Sequence, residues 1–145
     1  VTEFSELQLG KQVEAPSSPE AAVLDCVPSP RCPSYLVRLT CPEFTSLCQV
    51  TGQPDFATII VDYVPSRLLI ESKAFKLFMQ SFRSHRAFHE QCAATIFHKL
   101  VMAADPVYIR VCAFFQPRGG IPIDVFIQSG ELPPGVCLPD LGVPT

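Results

Sequence analysis

The residues of this 145-residue chain that could do chemistry fall into a few short stretches. Cys41, Cys48 and Asp55 share one polar run, Cys41-Pro-Glu-Phe-Thr-Ser-Leu-Cys48-Gln-Val-Thr-Gly-Gln-Pro-Asp55-Phe. A thiol and a carboxylate in one such run are groups able to act as nucleophile and proton donor. A loop held between strands is a natural place for them. The same run also reads as a connector with a buried cysteine, because most cysteines pack as small hydrophobes. Further on, Lys73 and Lys76 stand at i, i+3 near a helix start, where the dipole favours anions. Two lysines so placed equally make an ordinary solvated face. His85 and His89 stand at i, i+4, a spacing open to a metal, but no third ligand of suitable spacing accompanies them. No G-x-G-x-x-G occurs, which excludes nucleotide binding of the Rossmann kind.

The elements that must hold these groups are legible in the periodicity. Tyr35–Thr40 alternates, with Tyr35, Val37 and Leu39 on one face and Leu36 and Arg38 on the other, which predicts a strand. Phe56–Val64 is a second, rich in β-branched residues and closed by Pro65. Phe75, Phe78, Met79 and Phe82 then fall at i, i+3, i+4 and i+7, the stripe of a helix. A second helix is predicted from near Arg86, carrying Phe88, Cys92, Ile96 and Leu100 until Asp105-Pro106 stops it. Alternation returns over Val107–Gln116, Gly119-Gly120 makes a turn, and Ile121–Gln128 supplies a fourth strand. The order ββααββ predicts an α+β fold, an antiparallel four-stranded sheet with two helices on one face. Leu36, Ile60 and Phe114 leave the other face apolar, and other subunits are expected to help cover it. Pro16, Pro19, Pro28, Pro30 and Pro33 mark residues 1–33 as an irregular N-terminal arm. Pro133, Pro134, Pro139 and Pro144 mark 131–145 as a similar tail, which leaves 34–130 as the folded domain.

This length fits one domain. Hydrophobic residues make up 48% and charged ones 17%, enough for a real core. A net charge of −3 and the lack of a polybasic stretch argue against a nucleic-acid or anionic-membrane surface. Apolar runs such as Ala57–Val61 are far too short to span a bilayer, and no segment resembles a signal peptide, so a cytoplasmic location is expected. Seven cysteines, an odd number, do not read as a disulfide framework. Cys26, Cys32, Cys41 and Cys48 contain no C-x₂-C pair of the kind structural zinc prefers.

The run CPEFTSLC-x₂-TGQPDFA over 41–57 resembles the active-site loop of the QueF-type NADPH-dependent 7-cyano-7-deazaguanine reductases. Glu71-Ser-Lys-Ala-Phe-Lys-Leu-Phe78 is similar to that family's ESK-x₂-K-[LY]-[FYW] signature. Ser81-Phe-Arg-Ser-His-Arg-Ala-Phe-His89-Glu90-x-Cys92 and Pro117-Arg-Gly-Gly-Ile121 match as well. The four blocks keep the family's order between residues 35 and 127 and leave out the Pro-rich ends. Val125 stands where a proline is expected after Ile123-Asp124.

The resemblance implies a T-fold, whose subunit has the ββααββ layout read above. It also implies a reaction: the nitrile of a 7-deazaguanine is reduced by four electrons, from two NADPH, to an aminomethyl group for queuosine in tRNA. Cys48 maps onto the family's nucleophile, which attacks the nitrile carbon to give a thioimide, whereas Cys41 falls at a strand end. A free thiol ionises near pH 8.5, about 1.5 units too high, so Cys48 needs help to lose its proton or must pass it on. Asp55 matches the family's acid and must carry a proton as the nitrile nitrogen gains charge. Water must stay out, or thioimide and imine would hydrolyse. Read by itself, Asp55 is also a turn residue capping Gly52-Gln53.

His89 and Glu90 match the family's substrate clamp, in which a carboxylate accepts from N–H groups on one edge of a guanine-like ring. Glu90 alone reads as a solvent-facing side chain. Ile70, Glu71 and Ser72 match a second substrate contact. Ser72, Lys73 and Lys76 would hold NADPH phosphates, and Arg118 and Gly119 match another cofactor contact. No metal is expected, although related T-fold cyclohydrolases use zinc. The family further implies a homo-oligomer, two stacked pentamers forming a decamer, with active sites between subunits. Cys92, two positions after Glu90, is expected near Cys48, where the two could form a reversible disulfide under oxidation. Two rivals remain. An amidine-forming relative adds ammonia to the same nitrile, and the intact Glu71–Phe78 block speaks against it. A non-catalytic ligand-binding T-fold is opposed by Cys48 and Asp55 at the family's separation.

Overall fold

The computed structural model describes residue 3 and residues 5–142, so Pro144 of the expected tail lies outside the described residues. Its elements are β1 (Cys26–Pro28), β2 (Val37–Cys48), β3 (Pro54–Val64), β4 (Leu68–Ile70), α1 (Ser72–Gln80), β5 (Arg86–Ala87), α2 (His89–Ala104), β6 (Tyr108–Arg118) and β7 (Ile121–Gly130). The four long strands pair antiparallel in the order β2-β3-β6-β7, as expected. Two additions were not foreseen. β5 extends the sheet beside β2 in parallel, making it mixed, and β1 pairs with β4 in a small second sheet. Both helices pack on one face. Phe75, Phe78 and Met79 of α1 and Cys92, Ile96 and Leu100 of α2 share a core with Ala57, Ile59, Val61 and Tyr63 of β3 and Ile109, Val111, Ala113 and Phe115 of β6.

The polar run after Thr40 is not a loop. β2 continues through it to Cys48, and Cys41 lies mid-strand rather than at a strand end. Pro42 explains both points. Cys41 pairs with Ile59 and Phe44 with Ala57, so two residues of β2 oppose one of β3, a β-bulge. Proline has no N–H for the ladder and suits such a position. The extra residue changes which side chains point inward. Val37, Leu39 and Cys41 face the core before it, and Phe44, Ser46 and Cys48 are buried after it. Alternation is broken once, which is why the sequence looked irregular. β6 repeats the device at Gln116-Pro117, since Phe115 pairs with Ile123 and Arg118 with Ile121. Arg118 therefore returns to the side that carries Phe115.

α2 begins at His89 and not near Arg86. Arg86 and Ala87 are extended, pairing with Leu47 and Cys48, and the Phe88 N–H donates to Gln91 Oε1 at 3.1 Å. Asp105 ends α2 in the left-handed region, φ 43°, just before Pro106. Residues 1–33 are more than irregular chain. Leu7, Ala22 and Cys26 are buried, and Lys99 Nζ donates to Glu20 O at 3.0 Å.

The outer face of the sheet, expected to be covered by other subunits, is covered in part by the chain's own tail. Leu141 packs on Ile60, Cys112 and Phe114. Beside them, fully buried Asp62 accepts from Arg38 Nε at 2.7 Å and Arg110 Nη2 at 2.6 Å. Arg38 in turn donates to the carbonyls of Asp140 and Pro139. Tail carbonyls thus use the guanidinium donors that Asp62 leaves free.

Candidate active site

Cys48 ends β2, Asp55 opens β3, and residues 49–53 join them. The Cys48 N–H donates to Gln53 O at 2.8 Å, and the Gly52 N–H to Cys48 O at 3.0 Å. Gly52 has a φ of +70°, a left-handed conformation that favours glycine, and it lies against the tip of the Arg86 side chain. This turn aims the Thr51 N–H at Cys48 Sγ, 3.5 Å away. The Thr51 hydroxyl, then the backbone N–H groups of Thr51 and Val50, bring the Cys48 thiol down to about 7 against the opposing effect of burial, with the Arg118 charge adding to them.

Asp55 is 4% exposed. Its Oδ1 lies 2.6 Å from Arg118 Nε in an ion pair. Its Oδ2 lies 3.2 Å from His89 Nε2, but the two are not aligned for a hydrogen bond. Oδ2 and both ring nitrogens of His89 are buried with no hydrogen-bond partner among the described residues. Buried polar atoms are nearly always paired, so three unpaired ones at a single point mark a place where a ligand completes the bonding. The His89 ring lies flat on Phe115, centroids 3.9 Å apart and planes 4° from parallel. Cys48, Thr51, Asp55, His89, Glu90 and Arg118 line one cavity of about 380 Å³, with Val50, Phe88 and Ile123 as its apolar walls. That volume is within the range of small-molecule sites.

The other expected site residues lie elsewhere on the chain. Ile70 is buried and its N–H donates to Tyr63 Oη at 3.1 Å. Glu71 is buried as the N-cap of α1, accepting from the N–H groups of Lys73 at 2.8 Å and Ala74 at 2.9 Å. Ser72 and Lys76 line a separate cavity, also about 380 Å³, with Cys41, Glu43, Phe75 and Arg83. Lys73 Nζ is engaged by the arm, donating to Gln8 O at 2.7 Å and to Lys11 O. Arg118 sits in the Cys48 cleft and not with Ser72 and Lys76. Gly119 follows it in the turn between β6 and β7.

Sequence reasoning missed Thr51 and Phe115. Thr51 stood in the matched run three residues after Cys48, a turn-donor spacing; Phe115 gave no signal beyond strand alternation. Cys92 is fully buried and does not line the cleft, and burial pushes its thiol up to about 11. It and Cys48 are both free thiols. Among the described residues no group of three or more His, Cys, Asp or Glu side chains is arranged to hold a metal ion, and no helix is long and apolar enough to cross a membrane.

An α+β fold with two helices on one face of a curled sheet, carrying a thiol and a carboxylate across a hairpin turn, has the T-fold architecture. The chain belongs to the QueF-like protein family, whose model matches residues 54–134. It is 60% identical over 139 residues to the NADPH-dependent 7-cyano-7-deazaguanine reductase of Allorhizobium ampelinum, spanning 95% of this chain and 90% of that one. It is 57% identical over 145 residues to the reductase of the same name from Agrobacterium fabrum, spanning 99% and 94%. Among solved structures it resembles the apo form of the archaeosine synthase QueF-Like, with a TM-score of 0.64 and 28% identity over 71% of this chain and 100% of that one.

Proposed function

We propose that this protein reduces the nitrile of 7-cyano-7-deazaguanine to 7-aminomethyl-7-deazaguanine with two NADPH, in the synthesis of queuosine for tRNA. One observation carries the reading: a thiol brought down to about 7 shares a cleft with an aspartate oxygen that has no hydrogen bond. A nitrile carbon is electrophilic but slow to react at neutral pH, and a thiolate is the side chain best suited to attack it. As Cys48 Sγ bonds to that carbon, one electron pair of the triple bond moves to nitrogen, which takes a proton from Asp55. Oδ2 is suited to carry that proton, because Oδ1 is occupied by Arg118. The result is a thioimide on Cys48. NADPH, when bound, would supply two hydrides, one to the thioimide carbon and one to the imine carbon left when the Cys48 thiolate departs, and a second proton taken up by nitrogen would complete the amine. Glu90 and His89 would hold the guanine-like edge, and Val50, Phe88 and Ile123 would keep water from the imine.

Ser72 and Lys76 fit the cofactor phosphates, because they share with Arg83 a cavity that runs along α1. Lys73 would join them by leaving the arm carbonyls. Arg118 and Gly119 would meet the cofactor from the Cys48 side. Ile70 and Glu71 lie outside the Cys48 cavity, which suits a site completed by a neighbouring subunit in a homo-oligomer of two stacked pentamers. In this reading residues 34–130 are the catalytic unit, covered by the arm 1–33 and the tail 131–145, and the enzyme is cytoplasmic with neither nucleic acid nor membrane as a partner.

Incubation with the nitrile and NADPH tests the proposal. The nicotinamide absorbance should fall by two cofactors per amine formed, and only when the nitrile is present. The likeness to an archaeosine synthase supports a second reading, amidine formation from ammonia. An amidine product with no cofactor consumed would favour it and remove the first.

A further inference from the structure

We infer that Phe115 is a positioning residue for nitrile attack, holding the His89 ring in the plane that turns Nε2 toward Asp55. The inference rests on the cleft being the site proposed above. A working histidine is ordinarily oriented through its second nitrogen, which donates to a carbonyl or carboxylate. His89 has no such tether, since Nδ1 is buried without a partner among the described residues. What limits its ring is the face-to-face stack on Phe115, 3.9 Å and 4°. Phe115 is itself fixed, 3% exposed and edge-on to Phe44 at 6.2 Å and 89°. Phe44 is clamped in turn by Phe82 at 5.1 Å. A rigid aromatic column therefore ends at the imidazole. It leaves both nitrogens free for ligand and Asp55, which a hydrogen-bonded tether would not.

A flat ring beneath an imidazole also suits either charge state, because the aromatic face attracts a cation and stacks on a neutral ring. Packing alone would be met by any side chain of similar volume. Positioning requires the ring.

The test is a double-mutant cycle, read as the rate at which Cys48 of the full-length protein forms its substrate adduct with 7-cyano-7-deazaguanine alone, followed by intact mass. Phe115→Leu should slow the adduct on the order of tenfold to a hundredfold, the usual effect of a misplaced group. The same change in a His89→Ala background should add no further slowing, because the group that Phe115 acts through is gone. Phe115→Tyr, which keeps the ring, should retain most of the parent rate. Should Phe115→Leu not fold, Phe115→Met removes the ring at similar volume and is read in the same cycle. Equal slowing with and without His89 would make Phe115 a packing residue and overturn the inference, as would a parent-like rate in the ring-free variant. In both cases the reading of the cleft stands. A parent protein that forms no adduct would overturn that reading and the inference together.

Discussion

At the residue scale the cleft is organised around one acidified thiol. Cys48→Ala should form no adduct with the nitrile, whereas the parent should gain the substrate's mass without cofactor; intact-mass analysis decides it. Because the thiol sits at about 7, the adduct rate should climb roughly tenfold per pH unit below that value and level off above it. Thr51 is the main cause of the lowering, so Thr51→Val should move the break upward while leaving the plateau in place. Alkylation by iodoacetamide across the same pH range gives an independent reading of the break. Asp55→Asn keeps the shape but has no proton of the right acidity to give, and should lower turnover by roughly 10²–10⁴. A change confined to thermal stability would instead mark Asp55 as a turn residue.

At the element scale, the start of α1 shows how a matched motif can have a local job. Glu71 caps the helix through two backbone N–H groups. Glu71→Ala should therefore cost about 1 kcal/mol of stability in a urea melt, whatever it also does to substrate affinity. The helix stripe at Phe75, Phe78, Met79 and Phe82 and the alternation of β3 and β6 were legible because each keeps one period along its length. β2 was legible only to Thr40. Pro42 breaks its period, and the reader sees polar loop where the chain is still paired. β5 and β1 were invisible for another reason. Two or three residues cannot show a period, and their pairing is decided by partners distant in sequence. In the site, Cys48, Asp55, His89 and Glu90 were readable as one cluster. The place of Arg118 was not, because it depends on the second bulge.

At the scale of the whole molecule, the tail and the buried ion pairs bear on stability, and the exposed apolar side chains bear on assembly. Burial alone would raise the Asp62 carboxyl, but Arg38 and Arg110 outweigh it and hold it below its usual range. A lowered folded value means the pairing contributes stability above the unfolded value, and that this is lost as pH falls through the folded one. Asp62→Asn should thus be less stable than the parent at neutral pH, with the gap closing as the pH drops below about 4 in urea melts. Sedimentation at micromolar concentration should show no stable 15.9 kDa species, since Phe56, Ile121 and Phe126 are exposed and Glu71 lies outside the Cys48 cavity. The two proline bulges have a further, mechanical consequence. Pro42 interrupts the β2–β3 ladder and Pro117 the β6–β7 ladder, each on the stretch of its strand that leads to Cys48 or Arg118. Each missing donor loosens its own ladder locally, while the β3–β6 ladder between the two runs unbroken from Ala57 to Val64. Amide exchange should accordingly be faster at Glu43 and Gln116, beside the two prolines, than along the unbroken β3–β6 pairing.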